Sequence, residues 1–168
     1  MVGDGLRIAT YSWGDEADPV VVVVHGFASS TKDNWVATGW VRDLLRAGYR
    51  VIGLDQRGHG ASDKPHEPGA YSIRQLRLTE RVAGNDLRAL LAIAGGMRES
   101  KTVDPDARHA PQQPVLFATG SLDAIIDGSR ALAAATPQAR FLEIPDRHHF
   151  NAPGSRVFRQ AAIEFLGE

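Results

Sequence analysis

The chain has 168 residues, of which 43% are hydrophobic, enough for one domain with a real core. A formal net charge of −1 argues against a protein built to hold nucleic acid or an anionic membrane surface. The absence of cysteine excludes disulfides and thiolate metal sites, and the longest strictly apolar run, Val20 to Val24, is far too short to span a bilayer. The first residues, Met-Val-Gly-Asp-Gly-Leu, lack the basic and then apolar pattern of a signal peptide, so a soluble, cytoplasmic protein is expected.

In chain order, Leu6 to Trp13 alternates polar and apolar residues and reads as an edge strand or hairpin arm. The valine run Val20 to Val24 follows a polar turn. Its β-branched residues favour a strand, and apolar side chains on both faces predict burial on both sides. Asn34 is placed to cap one helix whose apolar positions Trp35, Val36, Trp40, Val41, Leu44 and Leu45 fall at helical spacing, with Gly48 as its stop. Arg50 to Leu54 is a second core strand ending at Asp55. Strand, helix and strand with short links make a βαβ unit and a parallel sheet.

A Gly- and Pro-rich loop, Gln56 to Ala70, leads to one helix suggested by Ile73, Leu76 and Val82. A second, capped at Asn85, carries Leu87, Leu90, Leu91 and Ala94 inward and ends at Gly95-Gly96. The polar, proline-bearing stretch from Lys101 to Pro114 is a surface loop. Beyond it come a strand from Val115 to Ala118, a helix from Ser129 to Ala135, a strand from Ala139 to Ile144 and an amphipathic helix from Phe158 to Leu166. Internal repeats and low-complexity tracts are lacking.

Four segments stand at the C-terminal ends of these strands: Val-Val-His25-Gly26-Phe27, Asp55-Gln56-Arg57-Gly58-His59-Gly60-Ala61-Ser62-Asp63-Lys64-Pro65, Pro114-Val-Leu-Phe-Ala-Thr-Gly120-Ser121-Leu122-Asp123, and Ile144-Pro145-Asp146-Arg147-His148-His149-Phe150. In this order they resemble the α/β-hydrolase superfamily, especially its lipase, esterase and haloperoxidase-like branches. The resemblance covers two blocks, roughly residues 1–75 and 84–168. It implies an α/β fold with a mainly parallel sheet flanked by helices, and residues gathered beyond the carboxyl ends of the strands.

The same resemblance implies site roles. Phe27 would give its backbone N–H to an oxyanion, and Gly26 would let the backbone turn beside the substrate. Asp123 matches the acid that orients the catalytic imidazole, with Asp127 the alternative and an ordinary turn aspartate the bland reading. His149 matches the base because Phe150 follows it; the family's usual preceding glycine is here His148, the rival imidazole. Asp55, Arg57 and His59 read as tying down their own loop. A metal site using the His148-His149 pair with His25 or His59 is the competing reading, but no acidic or histidine residue stands at a helical i, i+4 spacing from the pair.

The family's nucleophile, the serine of Gly-x-Ser-x-Gly, belongs between the Asp55 loop and the Asp123 strand. Ser62, Ser72 and Ser100 lie there without the flanking glycines, and Ser12 in Thr-Tyr-Ser-Trp-Gly only mimics the motif from an edge strand. The expected organisation is therefore a single truncated domain, 1–168. It has an N-terminal half 1–75, a C-terminal half 84–168, and a deletion junction near 76–84, the two central strands, the elbow and the cap being lost. The family's strand order, 1-2-4-3-5-6-7-8, then carries a gap of roughly 10–15 Å where two or three strand spacings are missing. Either the Val115 strand closes onto the valine strand as a six-stranded sheet, with Ser121 near the elbow's position as a substitute nucleophile, or two apolar strand edges stay open and favour self-association.

Two functions remain open. One is a hydrolase of carboxylic-ester-type substrates with Asp123 and His149 retained; the other is a catalytically inactive remnant that binds a small molecule. No cofactor is implied, nor a nucleic-acid or membrane partner.

Overall fold

The computed structural model describes residues 5–67, 86, 88–89, 91–92 and 110–168. The helices expected between Ile73 and Gly96, the Asn85 cap, Ser72, Ser100 and the 76–84 junction lie outside the described residues, isolated positions apart. The chain forms two compact units, Met1–Thr102 and Val103–Glu168.

In the first unit, β1 (Thr10–Trp13), β2 (Val20–Val24) and β3 (Arg50–Leu54) form a sheet in the order β1-β3-β2. β2 runs parallel to β3 in the register Val20↔Arg50 to Val24↔Leu54, while β1 runs antiparallel to it. The first strand is thus shorter than its alternating pattern suggests. The expected single helix is broken: a π-helical turn, Lys32–Val36, precedes α1, Trp40–Arg46, and Gly39 between them takes φ 86°. Trp40, Val41 and Leu44 bury the inner face of α1. Gly48 adopts φ 83° just beyond the helix, the left-handed stop expected there. Asn34 is no cap; it lies within the π turn, and its side chain reaches back to the Gly26 N–H.

The valine strand departs from expectation. Val23 is buried, but Val20, Val22 and Val24 are each about half exposed. Composition shows that both faces are apolar; it cannot show whether a second layer exists to cover both. β2 also has a single hydrogen-bonded neighbour among the described residues.

In the second unit, β4 (Val115–Gly120) and β5 (Ala139–Ile144) pair in parallel, from Val115↔Ala139 to Gly120↔Ile144. The connecting helix is α2, Ile126–Ala135, and α3, Arg156–Leu166, closes the chain. Among the described residues β4 and β5 make a two-stranded sheet of their own. Among the described residues no helix is long and apolar enough to cross a membrane.

Asp55, 1% exposed at the end of β3, organises the first unit. Its carboxylate accepts from the Thr31 N–H at 2.7 Å, the Ala61 N–H at 2.9 Å and the Tyr11 hydroxyl at 3.0 Å. A Cβ on Gly60 would collide with that carboxylate, so glycine is required there, at φ 49°. Burial alone would raise the Asp55 carboxyl, but the donors from Ala61, Thr31 and Tyr11 outweigh it and hold it below the ordinary carboxylate range. Burial pushes His59 below its ordinary value, more than its bond to the Arg57 carbonyl raises it.

Both shifts carry the same sign for stability. The unfolded chain binds the extra proton, so each contribution is complete above the unfolded value and is lost as pH falls through the folded one. Stability should therefore decline first below pH about 6.5 through His59, and again below about 4 through Asp55. Urea unfolding followed by circular dichroism from pH 8 to 3 would read this. Asp55→Ala, which strands three donors, should lose on the order of 3 kcal/mol at pH 7.

Candidate active site

The loop after β2 is a set of backbone donors sorted by their partners. The Gly26 N–H is taken by Asn34 Oδ1 at 3.2 Å, and the Ala28 N–H by His59 Nε2 at 2.9 Å. Between them the Phe27 N–H has no described partner. The turn does not rely on Gly26, where a Cβ would meet nothing within 4 Å. The left-handed residue is Ala28, with φ 58°. Gly26 thus leaves open space beside the donor.

Both nearby histidines are fully engaged. His25 accepts the Gln56 N–H at Nε2 (3.0 Å), which leaves Nδ1–H to donate to the Gly26 carbonyl at 2.7 Å. His59 accepts the Ala28 N–H at Nε2, so its Nδ1–H donates to the Arg57 carbonyl at 3.1 Å. With each nitrogen occupied, neither ring offers a lone pair to a metal, and the described residues hold no cluster suited to one. His59 and Asn34 are the loop's positioning residues. Asn34 was missed from sequence because a tertiary bond, not a capping pattern, defines its role.

In the second unit, the loops after β4 and β5 are zipped together by main-chain bonds. The Ser121 N–H donates to the Ile144 carbonyl and the Leu122 N–H to the Arg147 carbonyl, both at 2.9 Å. A Cβ on Gly120 would overlap the Arg147 carbonyl oxygen, so this approach requires glycine. Asp146 takes φ 54° to make the facing turn, and its N–H donates to Ser121 Oγ at 2.9 Å.

This zipper sets Asp123 against His149, with Nδ1 and Oδ2 2.9 Å apart. The Asp123 side chain is 7% exposed and that of His149 61%. The other carboxylate oxygen accepts the Ile125 N–H at 3.1 Å. With Nδ1–H donating to the carboxylate, the neutral form of His149 keeps its lone pair on Nε2, and no described residue bonds to that atom. His148 instead accepts the Phe150 N–H, and Asp127 pairs with Arg130. Neither the rival imidazole nor the rival acid enters the pair.

No described hydroxyl reaches His149. Ser121 is held at Asp146, Ser62 lies buried between the Asp55 carbonyl and the Ala9 N–H, and Ser12 accepts from Arg50 Nε.

The family model for the α/β hydrolase fold matches residues 19–94. The chain superposes on the enol-lactonase from Burkholderia xenovorans LB400 with a TM-score of 0.75 at 16% identity, covering 98% of both chains. The chain has the α/β-hydrolase fold. Among curated relatives, the AB hydrolase superfamily protein YfhM of Bacillus subtilis is 39% identical over 77 residues, 44% of this chain and 25% of that protein. The non-heme chloroperoxidase of Streptomyces lividans is 29% identical over 175 aligned residues, 92% of this chain and 61% of that one. The matched segment thus spans a quarter of the Bacillus protein and less than two thirds of the Streptomyces enzyme.

Replacing Gly120 by alanine should force these two loops apart, at about 1–3 kcal/mol in stability. The downfield Nδ1 proton signal of His149 should be lost with them. Thermal unfolding and proton NMR of the variant would check both.

Proposed function

We propose that the chain is a hydrolase of carboxylic-ester-type substrates in which His149 is the general base and Asp123 its orienting acid. The observation that carries this reading is the 2.9 Å bond from Nδ1 to a buried carboxylate, made by an imidazole that is itself largely exposed. In this role Nε2 takes a proton from water as its oxygen bonds to the acyl carbon. The Asp123 carboxylate stabilises the imidazolium so formed, and the proton is then returned to the departing alkoxide. Ser121 Oγ accepts the Asp146 N–H and makes no described bond to Nε2, which supports a reading without it.

A second reading, a remnant that binds a small molecule without turning it over, is favoured by the lack of a Gly-x-Ser-x-Gly in the sequence. Without a covalent nucleophile the rate falls by orders of magnitude against a complete site.

Hydrolysis of p-nitrophenyl acetate by the purified chain separates the two. On the hydrolase reading His149→Ala and Asp123→Asn each lower the rate at least about tenfold, whereas Ser121→Ala stays within about twofold. A rate no higher than that of His149→Ala establishes the remnant. A rate abolished in Ser121→Ala alone would restore that serine as nucleophile.

A further inference from the structure

Resting on the hydrolase reading, we infer that this site selects esters of medium-length acyl chains, whose tail lies on a wall formed by Phe150, Leu122 and Ile125. Phe150 and Leu122, 70% and 66% exposed, are the most exposed of the large hydrophobic side chains among the described residues. Each adjoins one member of the acid–base pair in the chain: Leu122 precedes Asp123 and Phe150 follows His149. The Leu122–Arg147 main-chain bond lays their two loops side by side. Ile125, also mostly exposed, is fixed to the acid itself by its N–H bond to Asp123 Oδ1.

The Phe150 ring is already held in place. It meets the His149 ring edge-on, with centroids 5.5 Å apart and planes at 84°, and the His148 ring at 6.2 Å and 62°. Its N–H donates to His148 Nδ1 at 3.2 Å. A pre-positioned aromatic ring left in water beside a catalytic imidazole is a surface for an apolar ligand group. An acyl carbon attacked by water on Nε2 stands within one water of that nitrogen. Its acyl chain then leaves over the surface bordering the imidazole, which is this wall. An octanoyl chain has more apolar surface to remove from water there than an acetyl group.

The test compares p-nitrophenyl octanoate with p-nitrophenyl acetate on the full chain, Phe150→Ser, Leu122→Ser and His149→Ala. The unmodified chain should prefer octanoate in kcat/KM, and Phe150→Ser should cut that preference about tenfold, mainly through KM. Loss of both esters in proportion would make Phe150 a positioning residue for His149 and overturn the wall, as would the absence of any preference. A change in sedimentation with selectivity intact would assign the wall to contact between copies instead. Should neither ester be hydrolysed, the hydrolase reading fails. Binding of octanamide against acetamide, followed by the His149 and Phe150 ring signals, then decides the wall alone: tighter octanamide binding lost in Phe150→Ser upholds it, and equal affinities refute it.

Discussion

A parallel strand releases unpaired N–H and C=O groups where it ends, and in this chain the partners of those groups decide where the candidate functional side chains stand. After β3 the Asp55 carboxylate collects donors from the Thr31 turn, from Ala61 and from Tyr11 on β1. After β2 the donors of Gly26 and Ala28 are taken by Asn34 and His59, singling out Phe27. After β4 and β5 the two loops satisfy each other, and the Asp123–His149 pair is the outcome. The chemistry is placed by main-chain bookkeeping more than by packing, since the imidazole itself is largely in water.

This division of labour explains the glycines. Gly60 and Gly120 sit where another residue's oxygen occupies the space a Cβ would need, one a carboxylate and the other a carbonyl. Gly26, in the segment most suggestive of function, has open space instead, and the unusual backbone falls on Ala28. A glycine in a motif thus marks a close approach, a special dihedral or vacant room, and only the surrounding atoms tell which.

The parts legible in the sequence were those with a local physical signature. β2 and β3 follow from runs of β-branched and apolar residues, β5 matches its pattern from Ala139 to Ile144, and Gly48 ends α1 as the C-terminal glycine rule requires. The pairing of Asp123 with His149 came from the order of segments rather than from any property of either residue. What stayed hidden depended on distant partners. Asn34 looked like a cap because capping is a local rule, yet its acceptor serves a strand end eight residues earlier. The helix break at Gly39 was hidden because Trp35 and Trp40 still pack against each other across it, at 5.5 Å between centroids. The exposure of the valine strand depends on a covering layer that no valine can announce.

That strand has one more property, which follows from its being valine throughout. Ordinarily a strand joining an open edge is held to one alignment, because a slip by one residue turns its apolar side chains to the wrong face. Along Val20–Val24 every slip replaces valine with valine. An added strand would find no alignment better than the next, so association at this edge would yield a family of offset complexes rather than a single species of defined geometry.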